Sequence, residues 1–263
     1  PMAKASPTVR AALLGTSAER TTSMFMTANA TTSPKYCCPR ATMIRLWLSP
    51  EVGSISGSNL NTSSVMLGAN TRMPDDVAIR WVQAVDDAFH ARYSAVGRRY
   101  RYVIHNARSR SALWVNRAAW WTYPLDASAM HRAGQTLLGE HDFSSFRAAE
   151  CQSRTPWRRV ESLSVRRSGA FVVIDIQANA FVHHMVRNIA GTLLEIGQGK
   201  RTEHSMAAVL AARDRSAAGI TGPAGGLYFV QALYPPPYHF PAADGESALF
   251  GSACSEPGSN SAD

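Results

Sequence analysis

One arginine set among apolar residues is the first chemical signal in this chain. In Phe181–Ile196 (FVHHMVRNIAGTLLEI), Phe181, Val182, Met185, Val186, Ile189, Leu193, Leu194 and Ile196 would spread around most of a helix, which predicts a buried one. Arg187 lies inside that set. A guanidinium cannot shed its charge, and burying it without a partner costs several kcal/mol. Arg187 should therefore meet an anion, either a protein carboxylate or a phosphate, unless its head snorkels to solvent at the helix rim. The neighbouring His183 and His184 would point about 100° apart on a helix. With no acid or cysteine at ligand spacing, they read as core or RNA-contacting histidines and no metal site is expected.

A second signal is RRYRYVIH, Arg98–His105. Its period of 2 predicts a strand with Tyr100, Tyr102 and Ile104 on one face and Arg99, Arg101 and Val103 on the other. Aromatic faces stack bases and arginines grip phosphates, so Tyr100, Arg98, Arg99 and Arg101 are candidate nucleic-acid contacts. An amphipathic strand with core tyrosines is the plainer alternative. A third cluster, Arg147, Arg154, Arg158 and Arg159, surrounds Cys151-Gln152-Ser153 in a Ser-rich connection. Such loops carry binding contacts or are simply solvated charge. The acid pairs Asp75-Asp76 and Asp86-Asp87 fall at strand or turn ends, where Asp makes local hydrogen bonds.

These signals sit in a basic chain of 263 residues with a net charge of +8. Of its 27 cationic side chains 24 are arginine, the side chain whose planar fork matches phosphate. A polyanionic partner fits that excess. No apolar run approaches the roughly 20 residues that span a bilayer, and no membrane is expected. Four cysteines, none in a CxxC spacing, point to a reducing compartment, not a disulfide or zinc scaffold. Residues 1–64 are rich in Ser, Thr and Ala, with no sustained period, and read as a low-order leader. Residues 236–263, with four acids and no Lys or Arg, read as a disordered tail. The folded part is then 65–235.

Within it, strands are expected at Val77–Val82, Arg98–His105, Val160–Val165, Phe171–Gln177 and Leu227–Leu233, with a hairpin turn at Arg167-Ser168-Gly169. Helices are expected at Leu125–Gly139, capped by Asp126 with Met130, Ala133 and Leu137 as its stripe, at Phe181–Ile196, and at Thr202–Ala212 with Thr202 as cap. Without a regular βαβ repeat the class is α+β with a mostly antiparallel sheet flanked by helices. Gly222–Gly226 (GPAGG) is only a turn.

Five stretches taken together resemble the TruA-type tRNA pseudouridine synthases: MLGANTRMPDDVAIRWV (66–82), FHARYSAVGRRYRYVI (89–104), LLGEHDFSSFRAAECQSRTPWR (137–158), ANAFVHHMVRNIAGTLLEIG (178–197) and AARDRSAAG…GGLYFVQALYP (211–235). The resemblance implies the two-lobed pseudouridine synthase fold, a cytoplasmic homodimer, and a cofactor-free isomerase. Its substrate would be uridine in the tRNA anticodon stem-loop. It implies an Asp carboxylate that attacks or deprotonates the nucleoside, a Tyr stacked on the extruded base and an Arg paired with the Asp. Matched motif to motif, Tyr100 is that Tyr and Arg187 that Arg.

The Asp of the family lies in a GRTDAGVH motif upstream of the segment that stands here as Val65–Pro74. No Arg-Thr-Asp occurs in these 263 residues, and the only acids in 1–64 are Glu19 and Glu51. The first lobe is therefore expected to be truncated. Three readings follow: an isomerase represented by an incomplete chain, a catalytically dead RNA-binding remnant, or a structural subunit that dimerises with an intact copy.

Overall fold

The computed structural model describes residues 23–30, 77–85 and 88–240. The chain divides into two compact units, Pro1–Asn29 with Met43–Phe89, and Ala30–Thr42 with His90–Asp263. Strands β1 (Ser23–Ala30) and β2 (Val77–Val85) form a two-stranded sheet. β2 contains the expected Val77–Val82. β1, in SMFMTANA, was not expected, because small residues and methionine give a weak strand signal by themselves. Val65–Pro74, both acid pairs, Glu19, Glu51, Cys37, Cys38, Cys254 and residues 241–263 lie outside the described residues.

From His90 onward the elements are β3 (Gly97–Asn106), β4 (Ala119–Trp121), α1 (Ala127–Gln135), β5 (Gly139–Asp142), β6 (Trp157–Ser168), β7 (Phe171–Ala178), α2 (Met185–Gly197), α3 (Ser205–Ala212) and β8 (Leu227–Leu233). The sheet runs β4-β3-β7-β6-β5, and β8 also pairs with β3. One edge of β3 is shared: β8 takes Gly97–Tyr102 antiparallel and β4 takes Ile104–Asn106 parallel. All other pairings are antiparallel, as the α+β reading requires. The β6–β7 hairpin closes from Ser168 to Phe171, with Gly169 at φ 54° supplying the left-handed turn.

Alternation sorts the two faces of β3. Tyr102 and Ile104 are fully buried with Leu163, Val165, Val172, Ile174 and Ile176, under Met130 of α1 and Ile189, Leu193 and Leu194 of α2. On the opposite face Arg99 and Arg101 both bind Asp175 of β7, at 2.6 and 2.8 Å at closest.

Three helix boundaries differ from those expected. α1 is capped by Asp126, whose carboxylate accepts from the N–H of Ser128 and Ala129, but it ends at Gln135. There Leu137 N–H turns back to Gly134 O, and Gly139 at φ 94° starts β5. Leu137 is still buried, from the turn instead of the helix. α2 begins at Met185, not Phe181, because His184 is left-handed at φ 61° and breaks the helical path. α3 begins at Ser205, and the Thr202 hydroxyl meets the Ser205 hydroxyl at 3.1 Å instead of capping a backbone N–H.

α2 is buried nearly all round, and Gly191 explains how chain packs against it. A Cβ there would fall 1.6 Å from Ile220 O, a backbone atom that moves only if its loop moves. Gly191→Ala should destabilise the fold by about 1–3 kcal/mol or more through overpacking. Equilibrium urea unfolding checks this; a midpoint equal to the parent's would show that the loop does not lie on α2.

Candidate active site

Arg187 stands on the first turn of α2 and is half-buried. Its Nε donates to Gly222 O at 2.7 Å, and Gly222 N–H returns a bond to Arg187 O at 3.0 Å. This two-way exchange needs a residue without a side chain at 222. A Cβ there would approach the Tyr102 hydroxyl oxygen to 2.6 Å and Arg187 O to 3.1 Å. The Tyr102 hydroxyl donates to Pro223 O at 2.8 Å. Burial raises the Tyr102 pKa, and the nearby Arg187 charge only partly offsets that. Tyr102 therefore stays a neutral donor.

The second hold on Arg187 is His184. Arg187 Nη1 lies 3.2 Å from His184 Nε2. Arginine can only donate, so Nε2 must accept, which places the imidazole proton on Nδ1. Burial, then the adjoining His183 ring and the Arg187 charge, hold the His184 pKa below the ordinary histidine range; Glu150 opposes this weakly. The left-handed backbone brings the two imidazoles into a stack with centroids 3.9 Å apart. They do not splay as on the expected helix. Among the described residues no group of three His, Cys, Asp or Glu could hold a metal ion.

Tyr100 lies two residues from Tyr102 on the same face of β3. It is packed edge-on to Phe181 at 4.9 Å and Phe229 at 5.4 Å. Tyr100 and Tyr102 thus share the face of β3 that meets the 222–223 loop and, through it, Arg187 of α2. This site combines an aromatic ring, Tyr100, with a directed guanidinium, Arg187, over the buried Tyr102 hydroxyl.

The other candidate cations divide by what they bind. Arg98 reaches the carbonyls of Ala95, Asn179 and Arg92. Arg99 and Arg101 clasp Asp175 from the far face, leaving a net charge of +1 on that trio. Arg147 donates to Cys151 O and Ser153 O at 2.8 Å, and Arg158 to the Ser153 hydroxyl. Those bonds shape the loop that the 183–184 turn lies on, through Ala148 N–H to His183 O and His183 N–H to Cys151 Sγ. Burial raises the Cys151 pKa, but the N–H groups of His183 and Ser153 and the Arg147 guanidinium outweigh it and bring the thiol down. Arg154 is exposed and makes no bond among the described residues.

A family profile described as tRNA pseudouridine synthase matches residues 133–235, which include Arg187, His184 and Gly222. The chain is 54% identical over 177 residues to tRNA pseudouridine synthase A of Photorhabdus laumondii, covering 67% of each chain. The chain belongs to this family. Its identity to the protein of the same name from Shigella boydii is 56% over 175 residues, 66% of this chain and 65% of that one. For the Aeromonas hydrophila protein it is 57% over 169 residues, 64% and 63%. The chain thus spans about two thirds of the length of the relatives it matches.

Sequence reasoning missed two groups that bond Arg187, Gly222 and His184, and the bond from the Thr221 hydroxyl to Asn188 Oδ1 behind them. Asn188 had a readable signal, an amide inside an apolar helix. The others are distant or depend on backbone geometry. Because the His184 pKa is lowered in the fold, the unfolded chain binds the extra proton more readily as the pH falls. Its contribution is complete above the ordinary histidine pKa near ~6.5 and is lost as the pH falls through the folded value. Melting temperature should therefore drop on acidification below that point. His184→Asn, which tolerates left-handed backbone without titrating, should flatten that part of the profile. Superimposable profiles would remove His184 as the neutral acceptor.

Proposed function

We propose that this chain acts in converting uridine to pseudouridine in the tRNA anticodon stem-loop, as an isomerase of a cytoplasmic homodimer. No helix among the described residues is long and apolar enough to cross a membrane. The observation that supports the reading best is the orientation of Arg187. Two neutral acceptors, Gly222 O and His184 Nε2, hold a guanidinium on the face that carries Tyr100.

In the reaction the C1′–N1 bond breaks, the base turns, and a C1′–C5 bond forms. N1 gains a proton and C5 loses one, so no outside reagent is consumed. The base must leave its stack to be reached. Tyr100 would provide the surface on which it lies, and Arg187 would keep the attacking carboxylate ionised by proximity of opposite charge. Tyr102 and the Gly222 loop position Arg187. The basic side chains, Arg154 among them, would meet phosphates.

A second reading, RNA binding without catalysis, is favoured by one observation: no Arg-Thr-Asp stands in these 263 residues. Both readings expect tRNA affinity that falls with salt, with a log–log slope of roughly −0.7 to −0.9 per neutralised phosphate. Filter binding that ignores salt would remove both. They separate on turnover. Residues 1–263 alone should form little or no pseudouridine on an unmodified tRNA transcript. A fusion of a GRTDAGVH-bearing lobe to residues 65–263 should form it.

In that fusion Tyr100→Ala should lose on the order of 1–3 kcal/mol, one stacked base. Arg187→Leu should lose about 3–5 kcal/mol, the effect of removing one member of a buried ion pair. Single-turnover pseudouridine formation checks both. A folded Arg187→Leu fusion with normal turnover would end the assignment of Arg187 as the carboxylate's partner.

A further inference from the structure

The far face of the sheet carries an aromatic cluster around His105. His105 of β3 is in register with Trp120 of β4 on one side and Phe171 of β7 on the other, so three aromatic side chains share a face across three strands. Trp114, from the loop between β3 and β4, stands edge-on to Phe171 at 4.9 Å. A cavity of about 180 Å³ is lined by His105, Trp114 and Trp120 together with Arg110 and Asn116. Trp120 is 41% exposed and its indole N–H is anchored on Ala107 O at 2.9 Å. His105 Nδ1 is buried without a hydrogen-bond partner.

Arg110 is the charged residue in the cavity wall. Residues 88–125 contain seven arginines and no Asp or Glu. Arg108, Arg110 and Arg117 are exposed, and none uses its guanidinium in a hydrogen bond or ion pair among the described residues. An inorganic anion would have no use for the aromatic wall. An aromatic side chain of a protein partner would have no use for three unneutralised guanidinium groups. A nucleotide uses both.

We propose that this cavity takes one unpaired nucleotide of an RNA, its base among the rings and its flanking phosphates on Arg108, Arg110 and Arg117. The site is separate from the Tyr100 surface: His105 lies five residues along β3, about 17 Å, and on the opposite face. The proposal rests on the tRNA reading only for the source of the nucleotide.

The test compares the full chain with Trp120→Ala, Trp120→Phe and Arg110→Gln. Each binds, by fluorescence anisotropy, a labelled single-stranded RNA and an abasic ribose-phosphate oligomer of equal length. Trp120→Ala should lose roughly five-fold to a hundred-fold on RNA and little on the abasic oligomer. Trp120→Phe, which keeps a ring, should retain most of the affinity and covers the case in which the alanine variant does not fold. Arg110→Gln should weaken both ligands and reduce the salt slope by about 0.7. Quenching of tryptophan fluorescence by uridine monophosphate, lost in Trp120→Ala, should accompany this.

Parent-like RNA affinity in the Trp120→Ala and Arg110→Gln variants would overturn the proposal, and salt-dependent tRNA binding by the parent would then leave the tRNA reading standing. Equal losses on both oligomers in Trp120→Ala would also overturn it, since the ring would only be holding the loop. So would a change in sedimentation without any effect on RNA, which would assign the face to a second copy. Conversely, retained mononucleotide quenching with no tRNA affinity would uphold the cavity and sink the tRNA reading.

Discussion

The side-chain amide of Asn188 is the interaction on which the Tyr100–Arg187 surface depends. It is fully buried, and both of its ends are bonded. Its Nδ2 donates to Phe146 O at 2.8 Å, and its Oδ1 accepts from the Thr221 hydroxyl at 2.7 Å and from Arg215 Nη2 at 3.2 Å. One turn on, the Thr192 hydroxyl donates to Asn188 O and accepts from Gly219 N–H. A buried polar group left unmatched costs about 1–3 kcal/mol, so these bonds act as constraints. They fasten loop 215–222 to α2, and the end of that loop presents Gly222 O to Arg187. The direction of the guanidinium is thus inherited from an amide one residue away.

The same constraint explains why so many arginines in this chain are structural. Arg98, Arg147, Arg201 and Arg215 all spend donors on backbone carbonyls, and Arg99 and Arg101 share one carboxylate. A guanidinium with five donors can hold a loop at several points, which a lysine cannot. The positive charge remains while the geometry is fixed. Among the described residues, the exposed guanidinium groups outside such bonds include Arg154, Arg166, Arg108, Arg110 and Arg117.

Five strands were legible because period 2 survives in the residues themselves: Tyr100, Tyr102 and Ile104 against Arg99, Arg101 and Val103 describe β3, and Leu227–Leu233 is β8 as read, whereas β1, β4 and β5 were not foreseen. The buried character of α2 was equally plain from apolar residues on all its sides. Its start was not, because His184 adopts positive φ and nothing in a histidine announces that. Thr202 and Gly139 misled for a related reason: a cap or a stop signal is local, and here the turn at Thr136 and the hydroxyl of Ser205 prevailed. The anion expected for Arg187 was argued from burial, and the burial is partial. What the residue types could not show was Gly222, 35 positions away, or the neutral imidazole that shares the hold.

The most direct test is the Nε–Hε resonance of Arg187 in nitrogen-15 NMR of the unmutated chain, beside Gly222→Ala. A guanidinium held by Gly222 O should give a slowly exchanging Hε signal at neutral pH, and the added methyl should abolish it while the amide spectrum of the sheet persists. An Arg187 Hε that exchanges as fast as that of exposed Arg154 in the unmutated chain would contradict the idea that the fold directs this cation.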